Sequence, residues 1–210
     1  MLSLEDPKTR LLNTAGEIFA EKGYHAATVR EICQKAAVNI ASVSYYFGDK
    51  ERLYVETVKH AAMGCEAAGP LPEWGPDTPP AAKLHGFIRA FLERMVVNRE
   101  PAWHGLLIMR EIFQPTRACA EFVEAFVRPT FQRLQGILDE LVPPGVPEVK
   151  RHLLGFSIIG QCLHYRLARN VMLLLVGQQE FDSYTVGQLA EHITDFSLAG
   201  LERLTSAEGG

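Results

Sequence analysis

The chain has 210 residues, of which 47% are hydrophobic and 22% charged, and its formal net charge at pH 7 is −4. This composition is typical of a globular protein with a sizeable core, and it lacks the excess of basic residues usual in polyanion-binding proteins. The first ten residues lack the features of a secretory signal, and the longest apolar run, at 171–177, is too short to span a bilayer. Because the four cysteines form no C-x-x-C pair, we expect their thiols to be reduced, as is usual in the cytoplasm. We therefore expect a cytoplasmic protein, and the short apolar runs predict no membrane segment.

Helical periodicity recurs along the chain and no segment shows the alternation of a strand, so the sequence predicts an all-α fold. The first helix is clearly delimited. Asp6 can cap its start, Pro7 suits its first turn, and Gly23 can end it. Its predicted apolar face consists of Leu11, Ala15, Ile18 and Phe19.

Three further helices are predicted in the first third of the chain. Thr28 and Glu31 form the T-x-x-E pattern of a capping box at the start of the second helix. Asn39 is a good N-cap for a short third helix, and a fourth is predicted over residues 50–66. The second and third helices are separated by a short turn, so together they predict a helix-turn-helix.

A stretch rich in proline and glycine, residues 69–80, lacks periodicity and is typical of a linker. We therefore predict a helix-turn-helix domain over 1–52, a connecting helix and loop over 53–80, and a larger helical domain over 81–210. The helices predicted beyond the linker lie at 81–98, 103–113, 118–140, 148–170 and 184–204.

The short third helix carries an unusual row of small, hydroxyl-bearing and aromatic residues. At about 100° per residue, Ile40, Val43 and Phe47 fall on one side and should pack on the first two helices. The opposite side comprises Ala41, Ser42 and Tyr45, with Ser44 and Tyr46 on its flanks. Slim side chains that enter the major groove, with hydroxyl donors that reach phosphates, are what a recognition helix requires.

Residues 9–54, TRLLNTAGEIFAEKGYHAATVREICQKAAVNIASVSYYFGDKERLY, resemble the DNA-binding domain of the tetracycline-repressor (TetR) family of transcription regulators. The resemblance covers the whole three-helix unit in order and without gaps, including YYFGDKE at its end. One position departs from the family, because the turn residue that is commonly glycine is Ala37 here. We expect the backbone of Ala37 to keep a negative φ, at which alanine is unstrained.

The resemblance implies a set of DNA contacts. Thr28 would contact a phosphate, Ala41 and Ser42 would lie closest to base edges, and Tyr45 and Tyr46 would lie along the backbone. The complete implied set is Lys8, Arg10, Thr28, Ala41, Ser42, Ser44, Tyr45, Tyr46 and Lys50.

Two alternatives stay open for these residues. Tyr45 and Tyr46 can instead be packing aromatics, and Lys50 can be a solvated residue at a helix start. Residues 1–65 also hold eight basic and eight acidic residues, so DNA binding requires the basic groups to be unevenly distributed.

The second half of the chain resembles the C-terminal domain of a TetR subgroup named after the CerR regulator, on the segments HGLLIMREIFQPT (104–116) and GQCLHYRLAR (160–169). The resemblance implies a homodimer, a cavity for a small-molecule effector in the larger domain, and release or retention of a palindromic operator when the effector binds. The predicted helix at 148–170 is apolar on two faces, and the one at 184–204 carries a packing seam. Both faces either pair with a second copy across a two-fold axis or lie wholly inside one chain.

Polar and aromatic groups on these apolar helices are candidates for an effector site. They are Trp103, His104, Met109, Arg110, Phe113, Gln161, His164 and Tyr165. Arg110 and Arg166 can equally form structural bridges with Glu111 and other carboxylates. No metal-ligand spacing, nucleophile motif or phosphate-binding loop is present, so we expect a regulator without cofactor or enzymatic activity. The alternative is a DNA-binding dimer that lacks an effector and is controlled by a protein partner.

Overall fold

The computed structural model describes residues 6–96 and 101–207. These residues are helices and their connections, and no strand occurs among them, which confirms the predicted all-α fold. The helices are α1 Pro7–Ala26, α2 Val29–Lys35, α3 Ala41–Tyr46, α4 Lys50–Ala68, α5 Pro80–Val96, α6 Trp103–Phe113, α7 Ala118–Phe122, a π-helical turn Val123–Val127, α8 Arg128–Leu141, α9 Glu148–Leu167, α10 Arg169–Val176, α11 Gln178–Phe181 and α12 Val186–Ala207. No helix in these two ranges is both long and apolar enough to cross a membrane.

The chain divides into two compact units. Unit 1 comprises Met1–Ala67 and Arg99–Arg128, and unit 2 comprises Ala68–Asn98 and Pro129–Gly210. These two units differ in extent from the domains predicted from the sequence. Helices α6 and α7 fall within the predicted domain over 81–210, but they belong to the unit that contains α1, α2 and α3.

The packing of α6 on α1 explains this membership. Trp103, at the start of α6, is buried against Gly16 of α1, where an added Cβ would lie 2.1 Å from the indole ring. Only glycine allows so close an approach of the two helices. Leu107 and Phe19 are fully buried in the same core. The apolar stripe of α6 therefore completes the core of the N-terminal helices.

The predicted helix ends are largely confirmed. The Asp6 carboxylate accepts hydrogen bonds from the backbone N–H groups of Lys8 and Thr9, at 2.9 and 3.2 Å, and so caps α1. Gly23 interrupts the helical backbone of α1 with a φ of 79°. The Thr28 hydroxyl accepts from the backbone N–H of Glu31 at 3.2 Å, as a cap of α2 should.

Two segments differ from the prediction. The helix predicted at 118–140 is divided by the π-helical turn over Val123–Val127. Helices α10 and α11, which follow α9, were not predicted, since the sequence marks residues 171–177 only as an apolar run. An apolar run without polar neighbours has no periodicity from which a helix face can be identified.

The core of unit 2 is formed mainly by α5, α8, α9 and α12. Ile158 and Cys162 of α9 are buried in it, and burial raises the pKa of the Cys162 thiol to about 12. A second line of α9 is exposed, with 56% of Leu153 and 59% of Phe156 accessible. Ile159 of the same line packs against the core of unit 2, so the second apolar face predicted for α9 is covered only in part within the described residues.

Candidate nucleic-acid interface

The turn between α2 and α3 is tight. Ala37 adopts a φ of 53°, in the positive-φ region, whereas a negative φ was expected for this alanine. The expectation was wrong because the chain reverses here within a few residues, with the Val38 N–H bonded to the Cys33 carbonyl at 3.0 Å. Such a helix end normally requires a left-handed residue, and glycine is the residue that adopts it without steric cost.

Asn39 starts α3 as predicted, since its side-chain Oδ1 accepts a hydrogen bond from the Ala41 N–H at 2.8 Å. On the inner side of α3, Val43 and Phe47 are buried, with 2% and 7% of their surfaces accessible. Ile40 is 56% exposed, which corrects its assignment to the inner side. Helical spacing gives the direction of a side chain, but it does not show how far along the axis the neighbouring helices extend.

The outer side of α3 has the predicted chemistry. Tyr45 is 82% exposed, Ala41 and Ser44 are exposed, and Ser42 is half-buried. The rings of Tyr45 and Tyr46 meet edge to face with centroids 4.8 Å apart. The helix thus presents slim side chains near its start and two hydroxyl-bearing rings near its end, while its aliphatic side is covered.

Two predicted contact residues lie outside α3. Thr28 is exposed at the start of α2. The Lys50 ammonium lies over the Tyr24 ring, 4.6 Å from its centroid, and donates to the His25 carbonyl oxygen at 3.5 Å. Partial burial lowers the pKa of Lys50. Lys50 is therefore held against the end of α1 in the free protein.

The two basic candidates of α1 differ in exposure. Lys8 is exposed in the first turn, whereas Arg10 is half-buried. The buried Nε of Arg10 has no hydrogen-bond partner among the residues that the structure describes.

The basic residues of unit 1 fall into two classes. Six form salt bridges with carboxylates of the same unit: Lys22 with Glu31, Lys35 with Glu17, Arg52 with Glu56 and Glu121, Lys59 with Glu121, Arg117 with Glu51, and Arg128 with Glu124. Lys8, Arg10, Arg30 and Lys50 form no salt bridge within residues 6–96 and 101–207, although the Lys8 charge helps to lower the pKa of the nearby Asp6 carboxyl. Arg30 lies exposed on α2, two residues after Thr28, and was missed by the sequence analysis. Salt bridges therefore distinguish the paired residues from the basic residues predicted to contact DNA, and the uneven distribution of charge stays a prediction.

The predicted effector residues divide between the units. In unit 1, Trp103 is buried in the core and the imidazole of His104 packs edge to face on it, with centroids 4.2 Å apart. Burial and the nearby His60 lower the pKa of His104. Met109 packs against the same core, whereas Phe113 is 65% exposed.

Arg110 has a structural role. Its guanidinium donates to the carbonyl oxygens of Ala20 and Glu21 at 3.3 and 3.1 Å, near the end of α1. The alternative considered from the sequence, a bridge with Glu111, is not formed, because the two side chains leave α6 in different directions. Basic groups at the end of a helix stabilise its unpaired carbonyls, so Arg110 fastens α6 to α1.

The carboxylate of Glu111 is instead fully buried, and sequence reasoning missed its role. It accepts hydrogen bonds from the Tyr54 hydroxyl at 2.7 Å and from the Thr116 N–H at 2.6 Å. Burial and this carboxylate raise the pKa of Tyr54. The network joins α4, α6 and the loop before α7. A cleft of about 260 Å³ lies beside it, and none of the eight predicted effector residues lines that cleft.

The remaining candidates lie on α9 in unit 2. Gln161 donates to the Ser157 carbonyl at 3.4 Å, and His164 is exposed with its ring 6.0 Å from that of Tyr165. Tyr165 is half-buried against the core of unit 2, and burial raises its pKa. No cluster of three metal-ligating side chains occurs in the described part of the chain.

Comparison with protein families gives two matches. Residues 11–57 match the family described as bacterial regulatory proteins, tetR family. Residues 80–201 match the family described as the C-terminal domain of the HTH-type transcriptional dual regulator CecR. The second match corrects the name of the subgroup that the C-terminal half resembles from CerR to CecR.

Two relatives are transcriptional regulators. CecR of Shigella flexneri is 27% identical over 212 residues, which cover 95% of this chain and 94% of that protein. The regulator UidR of Escherichia coli K12 is 41% identical over 46 residues, 22% of this chain and 24% of its own length.

Two solved structures share the fold. A TetR-like regulator from Rhodococcus sp. RHA1 superposes with a TM-score of 0.61 at 17% identity, over 96% of this chain and 99% of that one. FadR of Bacillus subtilis, crystallised with stearoyl-CoA, gives a TM-score of 0.63 at 17% identity, over 91% and 98% of the two chains.

Proposed function

Since the chain belongs to the tetR family of bacterial regulatory proteins and carries a C-terminal domain of the CecR type, it is a DNA-binding transcriptional regulator, and we propose that it is a homodimeric repressor released from a palindromic operator by a small molecule. The relatives are regulators, and we propose no enzymatic activity for this chain. Its site of action would be the cytoplasm, where bacterial regulators meet DNA.

The outward chemistry of α3 carries the DNA-binding part of the proposal. Ala41 and Ser42 would meet base edges in the major groove, where small side chains let the helix approach closely. Ile40, exposed at the start of α3, would lie against a thymine methyl group. Ser44, Tyr45 and Tyr46 would donate to phosphates, which position a protein on the duplex without reading sequence.

The unpaired basic groups would surround this contact. Arg30 and Thr28 at the start of α2, Lys8 and Arg10 on α1, and Lys50 on α4 are the proposed phosphate ligands. Lys50 would have to leave the Tyr24 ring and the His25 carbonyl to reach a phosphate. Arg30, which is exposed and has no carboxylate partner within the described ranges, is therefore the stronger candidate.

The exposed apolar line of α9 supports the dimer. Leu153 and Phe156 lie on this line, and Phe196 of α12 is 65% exposed. Pairing α9 and α12 with their mates across a two-fold axis would bury these side chains. Two recognition helices related by such an axis would bind two half-sites about one DNA turn apart.

The effector is proposed from the family and from one neighbour, FadR, which was crystallised with stearoyl-CoA. Within unit 1, Trp103, Met109 and Arg110 are held in packing or hydrogen bonds, and His104 packs on the Trp103 ring. Gln161, His164 and Tyr165 of unit 2 remain the residues proposed to contact an effector. A thermal-shift screen of apolar and amphiphilic acids tests this proposal. An effector should raise the melting temperature of the protein, whereas a regulator controlled by a protein partner should be stabilised by none of the compounds.

Selection of bound genomic fragments by the purified chain tests the DNA-binding proposal. We expect a shared inverted repeat, and we expect Tyr45→Ala to weaken binding to it at least about tenfold, because a hydrogen bond to a charged phosphate contributes about 1.5–3 kcal/mol. Met63→Ala is the control, since Met63 of α4 is 54% exposed and is not among the proposed DNA contacts. Fragments without a common repeat, or equal affinities for the wild type and Tyr45→Ala, would refute the proposal.

A further inference from the structure

Helix α10 presents an apolar stripe to solvent. Val171, Leu174 and Leu175 are 57%, 89% and 77% exposed. Their spacing of i, i+3 and i+4 places them on one face of the helix. No residue of α10 is buried, so this helix adds nothing to the core of its own unit.

The chemistry of the stripe identifies the class of partner. Residues 170–179 contain no charged side chain. Interfacial membrane helices combine an apolar face with a face rich in lysine and arginine, which this segment lacks. Contiguous exposed aliphatic side chains without charges are instead typical of a surface that another protein covers.

The position of the stripe identifies that protein as a second copy of this chain. α10 follows α9 directly after Ala168 and packs against it, and Leu167 at the end of α9 is 48% exposed. The stripe therefore directly follows the exposed end of α9. The segment that holds it connects α9 to α12, the two helices of the proposed dimer contact.

The segment is also organised as a defined structure. Helix α11 packs against α10, and the Arg169 guanidinium lies 5.3 Å from the centroid of the Phe181 ring. The Tyr184 hydroxyl donates to the Glu180 carboxylate at 2.8 Å. A helix held in place with its aliphatic face outward is preorganised for contact.

We propose that α10 is a dimerisation arm, whose Val171, Leu174 and Leu175 pack on the second copy of this chain and extend the α9 and α12 contact. The proposal rests on the homodimer of the proposed function. By two-fold symmetry each chain would contribute the same stripe, so each substitution acts twice in the dimer.

The test compares two doubly substituted full-length chains by sedimentation equilibrium. Leu174→Glu with Leu175→Glu should weaken dimerisation at least about 100-fold, since each leucine that loses its burial accounts for about tenfold or more. Asn170→Glu with Gln179→Glu places the same added charge on exposed polar positions of the same segment, and should change the dimer constant less than about threefold. Equal dimer constants for both double variants and the wild type would overturn the proposal.

A third variant separates the arm from the dimer itself. Phe156→Glu leaves α10 unchanged and acts on the exposed line of α9, where it also removes the stacking of this ring on Phe131 of α8. Dissociation by Phe156→Glu together with no effect of the leucine variants would overturn the arm and leave the proposed function intact. No effect of either would refute both the arm and the proposed dimer face, without bearing on DNA binding.

Crosslinking keeps the proposal testable if a charged variant fails to fold. Benzoylphenylalanine in place of Leu174 should give a crosslinked dimer on irradiation, and the same residue in place of the exposed Arg89 of α5 should not. Absence of the crosslink from a chain that sediments as a dimer would contradict the arm. The arm would also be contradicted if the wild type bound phosphatidylcholine vesicles and the leucine variants lost this binding while their dimer constant stayed unchanged.

Discussion

Helices α3 and α10 are both short and both largely exposed, yet their outward faces differ in chemistry. The outward face of α3 carries Ala41, Ser44 and Tyr45, which are small or hydroxyl-bearing, whereas α10 exposes Leu174 and Leu175. A hydroxyl keeps its hydrogen bonds when it exchanges water for a phosphate oxygen, and an aliphatic side chain gains free energy only by leaving water. The outward chemistry of a helix thus indicates which class of partner it can bind.

The two helices also differ in what holds them. Val43 and Phe47 bury the inner side of α3 in the core of unit 1, while α10 has no buried residue. A DNA-reading helix must keep its orientation before the duplex arrives, so a fixed inner side is useful to it. The arm proposed for α10 would instead obtain its burial from the second chain, and its contribution to stability should depend on protein concentration.

Truncation of the two helices should have very different effects on folding. Phe47→Ala removes a buried ring, and we expect it to lower the free energy of unfolding by about 3–5 kcal/mol. Leu174→Ala, measured at a concentration at which the chain is monomeric, should change it by less than about 0.5 kcal/mol. Urea denaturation followed by circular dichroism checks both values. Comparable losses in the two variants would remove the distinction between a buried and an unpartnered helix.

The end of α10 provides a backbone test. Gly177 has φ 85° and ψ 160°, a conformation that is essentially restricted to glycine, and an added Cβ would meet no atom within 4 Å. Gly177→Ala should therefore destabilise the protein by about 1–3 kcal/mol through backbone strain alone. Gly136→Ala is the control, because Gly136 lies within α8 and an added Cβ there also meets no neighbour. Gly136→Ala should leave the free energy of unfolding unchanged or raise it. If Gly136→Ala lowered the free energy of unfolding as much as Gly177→Ala does, backbone strain at Gly177 would be excluded as the cause.

Salt dependence distinguishes the basic residues around α3. Arg30→Ala should reduce the slope of log affinity for the operator against log salt by about 0.9, the effect of one lost phosphate contact. Lys50→Ala should reduce this slope by the same amount only if the Lys50 ammonium leaves the Tyr24 ring when DNA binds. Titrations at several salt concentrations check both slopes, with Lys22→Ala as the control because Lys22 is paired with Glu31. An unchanged slope for Arg30→Ala would exclude that contact.

The helices around α3 were predictable because their signals are local. Asp6, Thr28 and Asn39 each act on a backbone N–H two or three residues away, so a short stretch of sequence suffices to identify the cap. The outward side of α3 was likewise predictable from spacing alone. For Ile40, spacing failed because its exposure depends on where the neighbouring helices end.

The residues that could not be predicted depend on distant partners. Nothing in the segment around Arg110 indicates that its guanidinium reaches the carbonyls of Ala20 and Glu21, about 90 positions earlier in the chain. The phosphate contact proposed for Arg30 depends on the salt bridges of Lys22 and the other paired residues, which a sequence does not show. Helix α10 was missed for a different reason, because its apolar residues follow one another without the polar interruptions that reveal a helix face.

The smallest expected effect concerns the turn that precedes α3. Ala37 is exposed and holds a φ of 53°, which costs an alanine about 1 kcal/mol, while glycine adopts it freely but loses more entropy on folding. We expect Ala37→Gly to stabilise the protein by about 0.5 kcal/mol, measured by urea denaturation, and to leave operator affinity unchanged. Ala36→Gly is the neighbouring control, because Ala36 has an ordinary φ of −75° and should lose about 1 kcal/mol or more. Destabilisation by both variants would mean that the turn tolerates alanine without strain, and its left-handed residue would then not limit the stability of the helix-turn-helix.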